Sequence, residues 1–413
     1  MAVFRAFSAV RPAKEFARDV AALPYDVMSS EEAREMVKGN PLSFLHIDRA
    51  ETDLPEGTGI YENIVYETAA ATLRKWIRDG ILIREDHPCF YIYALKMNGR
   101  TQTGLVGCAS IDDYLENVIK KHEFTRAEKE EDRVRHVDAC NANTGPIFLT
   151  YRDGQAISSK VEAWKEAHAP EYDFVAEDGI GHTVWVIDDP AECKALQELF
   201  AGIPALYIAD GHHRCASAVR VGQKRRAAAG SRTGEEEFNY FLAAAFPAKE
   251  LSVMDYNRVV KDLNGKTAEA FLKRISEKVT VTGSKEPVRP DRKGVFGLYL
   301  DHRWYRLEVK PAVTACREGV SALDVAVLQD VILEPVLGIG DPRTDERISF
   351  VGGIRGLEEL ERRVDGGEAC AFSMYPTSIE ELMAIADAGA VMPPKSTWFE
   401  PKLRSGLFIH ELS

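Results

Sequence analysis

Long apolar runs, paired cysteines and surplus positive charge are all missing from this chain. No stretch approaches the roughly 18 apolar residues that a membrane helix needs, so no membrane partner is expected. The N-terminus, Met1-Ala-Val-Phe-Arg5, lacks the basic flank and apolar core of a secretory signal. Seven cysteines are scattered at 89, 108, 140, 193, 215, 316 and 370, with no Cys-x-x-Cys pair. An odd, scattered set excludes a disulfide framework and a zinc knuckle, and fits free thiols in a reducing cytoplasm. Lys plus Arg number 52 against 65 Asp plus Glu, a formal charge of −13. General polyanion binding, and with it a nucleic-acid partner, is therefore disfavoured. A cytoplasmic protein acting on a small molecule is expected, with a homodimer left open.

Complete nucleotide signatures are also absent. Gly389-Ala-Val-Met-Pro-Pro394-Lys395-Ser396 mimics a P-loop, but proline stands where the second glycine belongs. Two prolines remove backbone N–H donors that would cradle phosphate, which excludes a Walker-type site. Gly338-Ile-Gly340 lacks the third glycine of a dinucleotide fingerprint and reads as a turn.

Present instead are 413 residues of alternating helical and strand patterns. The length predicts two domains, and the alternation predicts an α/β fold with mixed sheets. Strands are expected at Cys89–Met97 and Gln102–Ser110 around an Asn98-Gly99 hairpin. Arg126–Val137 is so charged that a solvated helix or mobile loop is expected. Gly222–Glu237, rich in Lys, Arg, Gly and Glu, reads as an exposed loop.

One junction concentrates the chemistry. The apolar run Ile203-Pro-Ala-Leu-Tyr-Ile-Ala209 reads as a buried strand and stops at Asp210-Gly211-His212-His213-Arg214, after which a helix is expected. Gly211 lets the backbone bend tightly and a ligand approach closely. The helix start offers unpaired N–H groups and a positive dipole end, an anion site. The alternative for this motif alone is a helix cap with structural histidines.

A second cluster is Lys120-Lys121-His122-Glu123-Phe124-Thr125-Arg126. Its basic groups can hold Glu123 ionised while holding a transferred phosphoryl group, which makes Glu123 a candidate base. Lys395, Ser396 and Thr397 in the proline-rich loop could close on a phosphorylated ligand. Asp26, in Pro24-Tyr25-Asp26-Val27, and Asn257 and Arg258 are weaker candidates for substrate contacts. Asp210, His212, His213, His122, Glu123 and His136 also form a set able to bind a transition metal, although no spaced pair fixes a chelate, and no protein metal ligand is assigned. A magnesium bridging phosphates is the favoured metal reading.

These blocks, with Asn143-Thr-Gly-Pro146, Asp255-Tyr-Asn-Arg-Val-Val260 and Met392-Pro-Pro-Lys-Ser-Thr-Trp-Phe-Glu-Pro-Lys402, resemble a bacterial and archaeal family labelled domain-of-unknown-function family 1015. The resemblance runs nearly end to end. That family is distantly similar to free serine kinases of the ParB/sulfiredoxin-like fold, in which an Asp-Gly-His-x-Arg motif holds ADP phosphates and an earlier glutamate is the base. By resemblance, residues 1–255 form a ParB-like nucleotide-binding region with large insertions, and 256–413 form a C-terminal α/β domain contributing to the site. Gly211, His213, Arg214, Lys121 and Lys395 would hold nucleotide phosphates. Asp210, His212 and Glu123 would be catalytic, with ADP or ATP as cofactor and magnesium alongside. The implied reaction exchanges a phosphoryl group between ADP/AMP and free serine/O-phosphoserine. The alternatives are a metal-dependent phosphatase and a non-catalytic nucleotide-binding regulatory module.

Overall fold

The computed structural model describes residues 1–152, 154–230 and 233–413, which fall into two units. One comprises 1–251 together with 401–413; the other is 252–400. Residues 401–413 thus belong to the first unit although the second lies between them and 251 in the chain. Strand pairing holds them there: His410–Glu411 pairs with Ala142–Asn143, and Ile409 bridges Val10.

A nine-stranded mixed sheet organises the first unit. Its order is Ile119–Lys120, Leu206–Asp210, Ile147–Tyr151, Tyr240–Pro247, Arg100–Ser110, Phe90–Met97, Gly181–Ile187 and Tyr172–Val175, with Phe4–Arg5 added on Arg100–Ser110. Residues 206–209 are all buried, as expected for a strand covered on both faces. Phe4, Phe90, Leu149, Phe200, Ile208 and Phe241 belong to one core on this sheet. A second core gathers Phe44, Leu73, Trp76 and Ile409. The hairpin at Asn98-Gly99 is a turn with both residues at positive φ, 51° and 77°, which matches the twist of the strands it joins.

Two pairings run parallel: Ile119–Lys120 with Leu206–Asp210, and Ile147–Tyr151 with Tyr240–Pro247. In the first, Ile119 lies opposite Leu206 and Lys120 opposite Tyr207. Both chains therefore leave the sheet at the same edge in the same direction, and counting on in register sets Glu123 level with Asp210. The register of Leu206–Asp210 against Ile147–Tyr151 shifts between Ile208 and Asp210. Such a bulge re-aims the side chain at the strand's end.

The second unit carries a six-stranded antiparallel sheet, ordered Val279–Ser284, Arg303–Val309, Val295–Leu300, Cys370–Ser373, Tyr256–Val260, Ile348–Gly352. Val259, Trp304, Leu360 and Ala371 lie in its core. Both units are mixed α/β. Among the described residues, no helix is long and apolar enough to cross a membrane.

Of the two charged segments, the first is a helix, one of its two expected forms, but with Asp132, Arg133 and His136 buried, and the second is not the loop expected from 222. Arg126–Val137 lies mostly in a helix, Ala127–Cys140, and packs against His212–Ala228. The latter continues through Gly222, so the loop expected from 222 begins only after Ala228; Ser231 and Arg232 lie outside the described residues. The helix persists because its charges are partnered. Lys224 donates to Asp138 at 2.6 Å, and Arg226 grips both oxygens of Asp112 at 2.5 and 2.8 Å. Gly222 is needed in its interior, where a Cβ would come within 2.5 Å of the Phe238 carbonyl oxygen. Alanine at an ordinary helical glycine stabilises. Here the backbone contact reverses the sign, and Gly222→Ala should cost about 1–3 kcal/mol in urea unfolding.

Candidate functional site

Gly211 is the pivot between the strand Leu206–Asp210 and the helix His212–Ala228. It stands at φ 90°, ψ 32°, the left-handed region, which glycine enters without strain. A Cβ there would meet Arg214 Nε and Nη2 at 3.1 Å. No side chain caps the helix, so its first N–H groups and positive dipole end keep the capacity to bind an anion.

Asp210 is fixed from two sides. Its Oδ1 accepts from the Gly211 N–H at 2.8 Å, and its Oδ2 accepts from Lys402 Nζ at 3.0 Å. Burial alone would raise its pKa. The Lys402 and Arg214 charges, with the two hydrogen bonds, outweigh burial and hold it well below the usual carboxylate range. Arg214 donates through Nη1 to the Pro146 carbonyl at 2.6 Å, which seats it beside the Asn143-Thr-Gly-Pro146 loop. Its buried Nε has no partner.

Around this pivot lie two imidazoles and a carboxylate. His122 and His212 are 2 % and 6 % exposed, and their rings meet edge-to-face at 4.5 Å. His212 Nδ1 lies 3.9 Å from Glu123 Oε2. Burial first, and then the neighbouring His213 and Lys121 charges, push His212 down to about 4 against the pull of Asp210. His122 is also held well below its usual range, by burial and then by His212. Both rings are therefore neutral at pH 7. Neither His122 nitrogen has a well-aligned hydrogen bond, the Ile208 carbonyl being a loose approach, and His212 Nε2 has none. Glu123 differs: its side chain is 36 % exposed. His213 accepts at Nε2 from the Arg126 N–H at 3.0 Å, and the exposed Lys121 lies over the Tyr114 ring at 4.9 Å.

His122, Glu123 and His212 each offer a ligand atom within 4.8 Å of the others. Two neutral imidazoles and a carboxylate suit a transition metal better than magnesium, which prefers oxygen ligands.

A family described as "Protein of unknown function (DUF1015)" matches residues 4–326, well over half of the sequence. The chain belongs to this family. No curated protein matches it. Among solved structures, a free serine kinase mutant in complex with ADP is similar at 14% identity and a TM-score of 0.36, covering 74% of this chain and 93% of its own. A conserved hypothetical protein from Pyrococcus furiosus is 14% identical, with a TM-score of 0.33, over 72% of this chain and 92% of that one. SbnI with C-terminal truncation, from Staphylococcus aureus, is 10% identical with a TM-score of 0.38, covering 73% and 85%.

In this DUF1015 protein, Asp210, Gly211, His212, His213, Arg214, Glu123 and Lys121 all belong to the first unit. Asp26 does too, exposed on the lining of a cavity beside Tyr25 and Asp48. Asn257, Arg258, Lys395, Ser396 and Thr397 belong to the second unit. There, buried Asn257 bonds Asp255 and the Met374 N–H, and buried Arg258 donates to the Tyr256 and Lys395 carbonyls. Ser396 donates to the Pro393 carbonyl. Sequence reasoning left Lys402 out of the site. Its only signal was a lysine ending the Pro401-Lys402 block, far along the chain from its partner.

Two outcomes follow from the charges. Lys402→Met strips Asp210 of its main cation and should cost about 2 kcal/mol at pH 7, less than the 3–5 kcal/mol of a fully buried broken pair, because the Asp210 side chain remains 30% exposed. Unfolded histidine takes up a proton as pH falls through ~6.5, whereas folded His212 resists until about 4. Stability is thus full above pH 6.5 and drains away between those values, by about 3 kcal/mol for this one ring. Urea midpoints at pH 7 and 4.5 should show a smaller fall in His212→Asn than in the wild type.

Proposed function

We propose that this protein is a phosphotransferase exchanging a phosphoryl group between ADP/AMP and free serine/O-phosphoserine. The observation that carries the reading is the meeting of a solvent-reaching carboxylate, Glu123, with the uncapped start of the helix His212–Ala228, 3.9 Å from His212. An anion cradle is useful for phosphoryl transfer only if a group able to accept the hydroxyl proton stands beside it. The resemblance of the Asp210-Gly-His-His-Arg214 block to the kinase motif supplies the substrate class.

In the forward direction, the serine hydroxyl oxygen bonds to the β-phosphorus of ADP and its proton passes to Glu123. The bond from that phosphorus to the bridging oxygen breaks, and AMP leaves with the electron pair. The helix-terminal N–H groups and Arg214 hold the phosphates. Lys402 keeps Asp210 ionised, and Asp210 in turn fixes the Gly211 turn. His212, neutral, serves as a hydrogen-bonding group toward the moving phosphoryl. In reverse, Glu123 returns the proton. Both Asp210 oxygens are already engaged, so magnesium would be carried chiefly by the nucleotide's phosphates, whose charge it neutralises.

A second reading, a metal-dependent phosphatase, is favoured by the His122–Glu123–His212 group. Phosphorus NMR separates the two. ADP with L-serine should yield AMP and O-phosphoserine; release of inorganic phosphate from O-phosphoserine without nucleotide would transfer support to the phosphatase. Ligand binding without turnover would leave a regulatory module. For the base, Glu123→Gln should lower exchange by about 10²–10⁴-fold with ADP affinity retained. Lost ADP binding in a folded variant would remove Glu123 from that role.

A further inference from the structure

A polar cavity in the first unit is not accounted for by the nucleotide site. Two pockets with shared lining residues, of about 150 Å³ and about 20 Å³, make it up. Tyr25, Asp48, Arg133 and His136 line both, and Arg214 of the Gly211 turn lines the smaller. The smaller pocket therefore shares a wall with the helix start.

Unsatisfied groups of both signs point to what it takes. The Tyr25 hydroxyl is buried with no hydrogen-bond partner in a side chain only 8 % exposed, and Arg214 Nε is likewise unpartnered. Arg133, 8 % exposed, lies over the Tyr25 ring at 4.0 Å. It grips Asp132 through Nε and Nη2 at 2.8 and 2.7 Å, and its Nη1 has no hydrogen bond among the described residues. Asp132 is satisfied by Arg133 and by the Tyr66 hydroxyl at 2.8 Å. Asp48 accepts from Thr144 at one oxygen, and its Oδ2 has no hydrogen bond among the described residues. Buried donors and acceptors without partners are rare in folded proteins and cost about 1–3 kcal/mol each. The Tyr25 hydroxyl and Arg214 Nε are two such groups, and Arg133 and Asp48 line the same space as Tyr25.

Size and sign narrow the ligand. Nucleotide-sized ligands occupy pockets of about 300–1,000 Å³, so this space is too small for one. A cavity near 150 Å³ takes a molecule such as benzene, the scale of a small amino acid. An inorganic phosphate would suit the arginines but would face Asp48. A molecule with one carboxylate and one ammonium offers an acceptor to the Tyr25 hydroxyl and Arg133 and a donor to Asp48.

We propose that this cavity binds a small zwitterion, an α-amino acid, with its carboxylate between the Tyr25 hydroxyl and Arg133 and its ammonium on Asp48. The assignment deepens the phosphoryl-transfer reading by seating the acceptor, and it rests on that reading for the choice of L-serine as the first probe.

Calorimetric titration of the full chain provides the test. L-serine and L-alanine should both bind. Ethanolamine, which lacks the carboxylate, and 3-hydroxypropanoate, which lacks the ammonium, should bind at least about tenfold more weakly. Tyr25→Phe keeps the ring under Arg133 and removes only the hydroxyl. It should weaken L-serine by about tenfold, the scale of one lost hydrogen bond to a charged group, and leave ADP affinity unchanged. Asp48→Asn should weaken L-serine while sparing 3-hydroxypropanoate. The pocket is overturned if ethanolamine or 3-hydroxypropanoate binds as well as L-serine, or if Tyr25→Phe lowers ADP affinity and not that of L-serine. It is equally overturned if exchange proceeds with an unaltered serine KM in Tyr25→Phe. L-serine binding that depends on Tyr25, with no exchange seen by phosphorus NMR, supports the pocket and removes the phosphoryl-transfer reading alone.

Discussion

Everything at the candidate site depends on one short parallel pairing, Ile119–Lys120 against Leu206–Asp210. A parallel pair sends both chains out of the sheet at the same edge. Two segments far apart in the chain therefore arrive together: His122-Glu123 from one strand, Asp210 through Arg214 from the other. Antiparallel pairing of the same strands would have carried them to opposite edges. The bulge before Asp210 and the left-handed Gly211 then turn the second chain into a helix within a single residue.

Charge around that edge is divided sharply. Asp210 is locked as an anion by Lys402, while His122 and His212, a few ångströms away, are held neutral by burial. A protein interior cannot hold several unpaired charges cheaply, so the fixed charge resides in one ion pair and the imidazoles remain dipoles. Glu123 differs from both imidazoles in keeping part of its surface in solvent. The site thus combines a buried floor carrying one ion pair with one partly exposed carboxylate.

How much could be read from the residues alone varies with how local the cause is. The Asn98-Gly99 hairpin and the strand-to-helix break at Gly211 are encoded within a few residues by turn chemistry and periodicity, and both stand where that chemistry puts them. The helix through Gly222 was not legible, because its charged face is stabilised by Asp138 and Asp112, distant in sequence. Lys402 was legible only as the end of a block, since its partner Asp210 is distant in sequence. The approach of His122 to His212 depends on strand register, which no local pattern specifies. At Pro24-Tyr25-Asp26-Val27, reading by charge singled out Asp26, but the exposed carboxylate is less constrained than its neighbour. The buried Tyr25 hydroxyl carries the unmet hydrogen bond, and burial is not written in the residue type.

The return of residues 401–413 to the first unit has a consequence for how the molecule is made. Lys402 leaves the ribosome only after all of 252–400 has been synthesised. Until then Asp210 lacks its main counter-charge and Ala142–Asn143 lacks its strand partner. The first unit cannot complete these two contacts until residues 252–400 have been synthesised. Closing so long a loop is an entropic burden that slows folding. The Gly211 turn thus gains its last partner late, and a chain stalled short of residue 402 would carry the motif without the charge that pairs with Asp210.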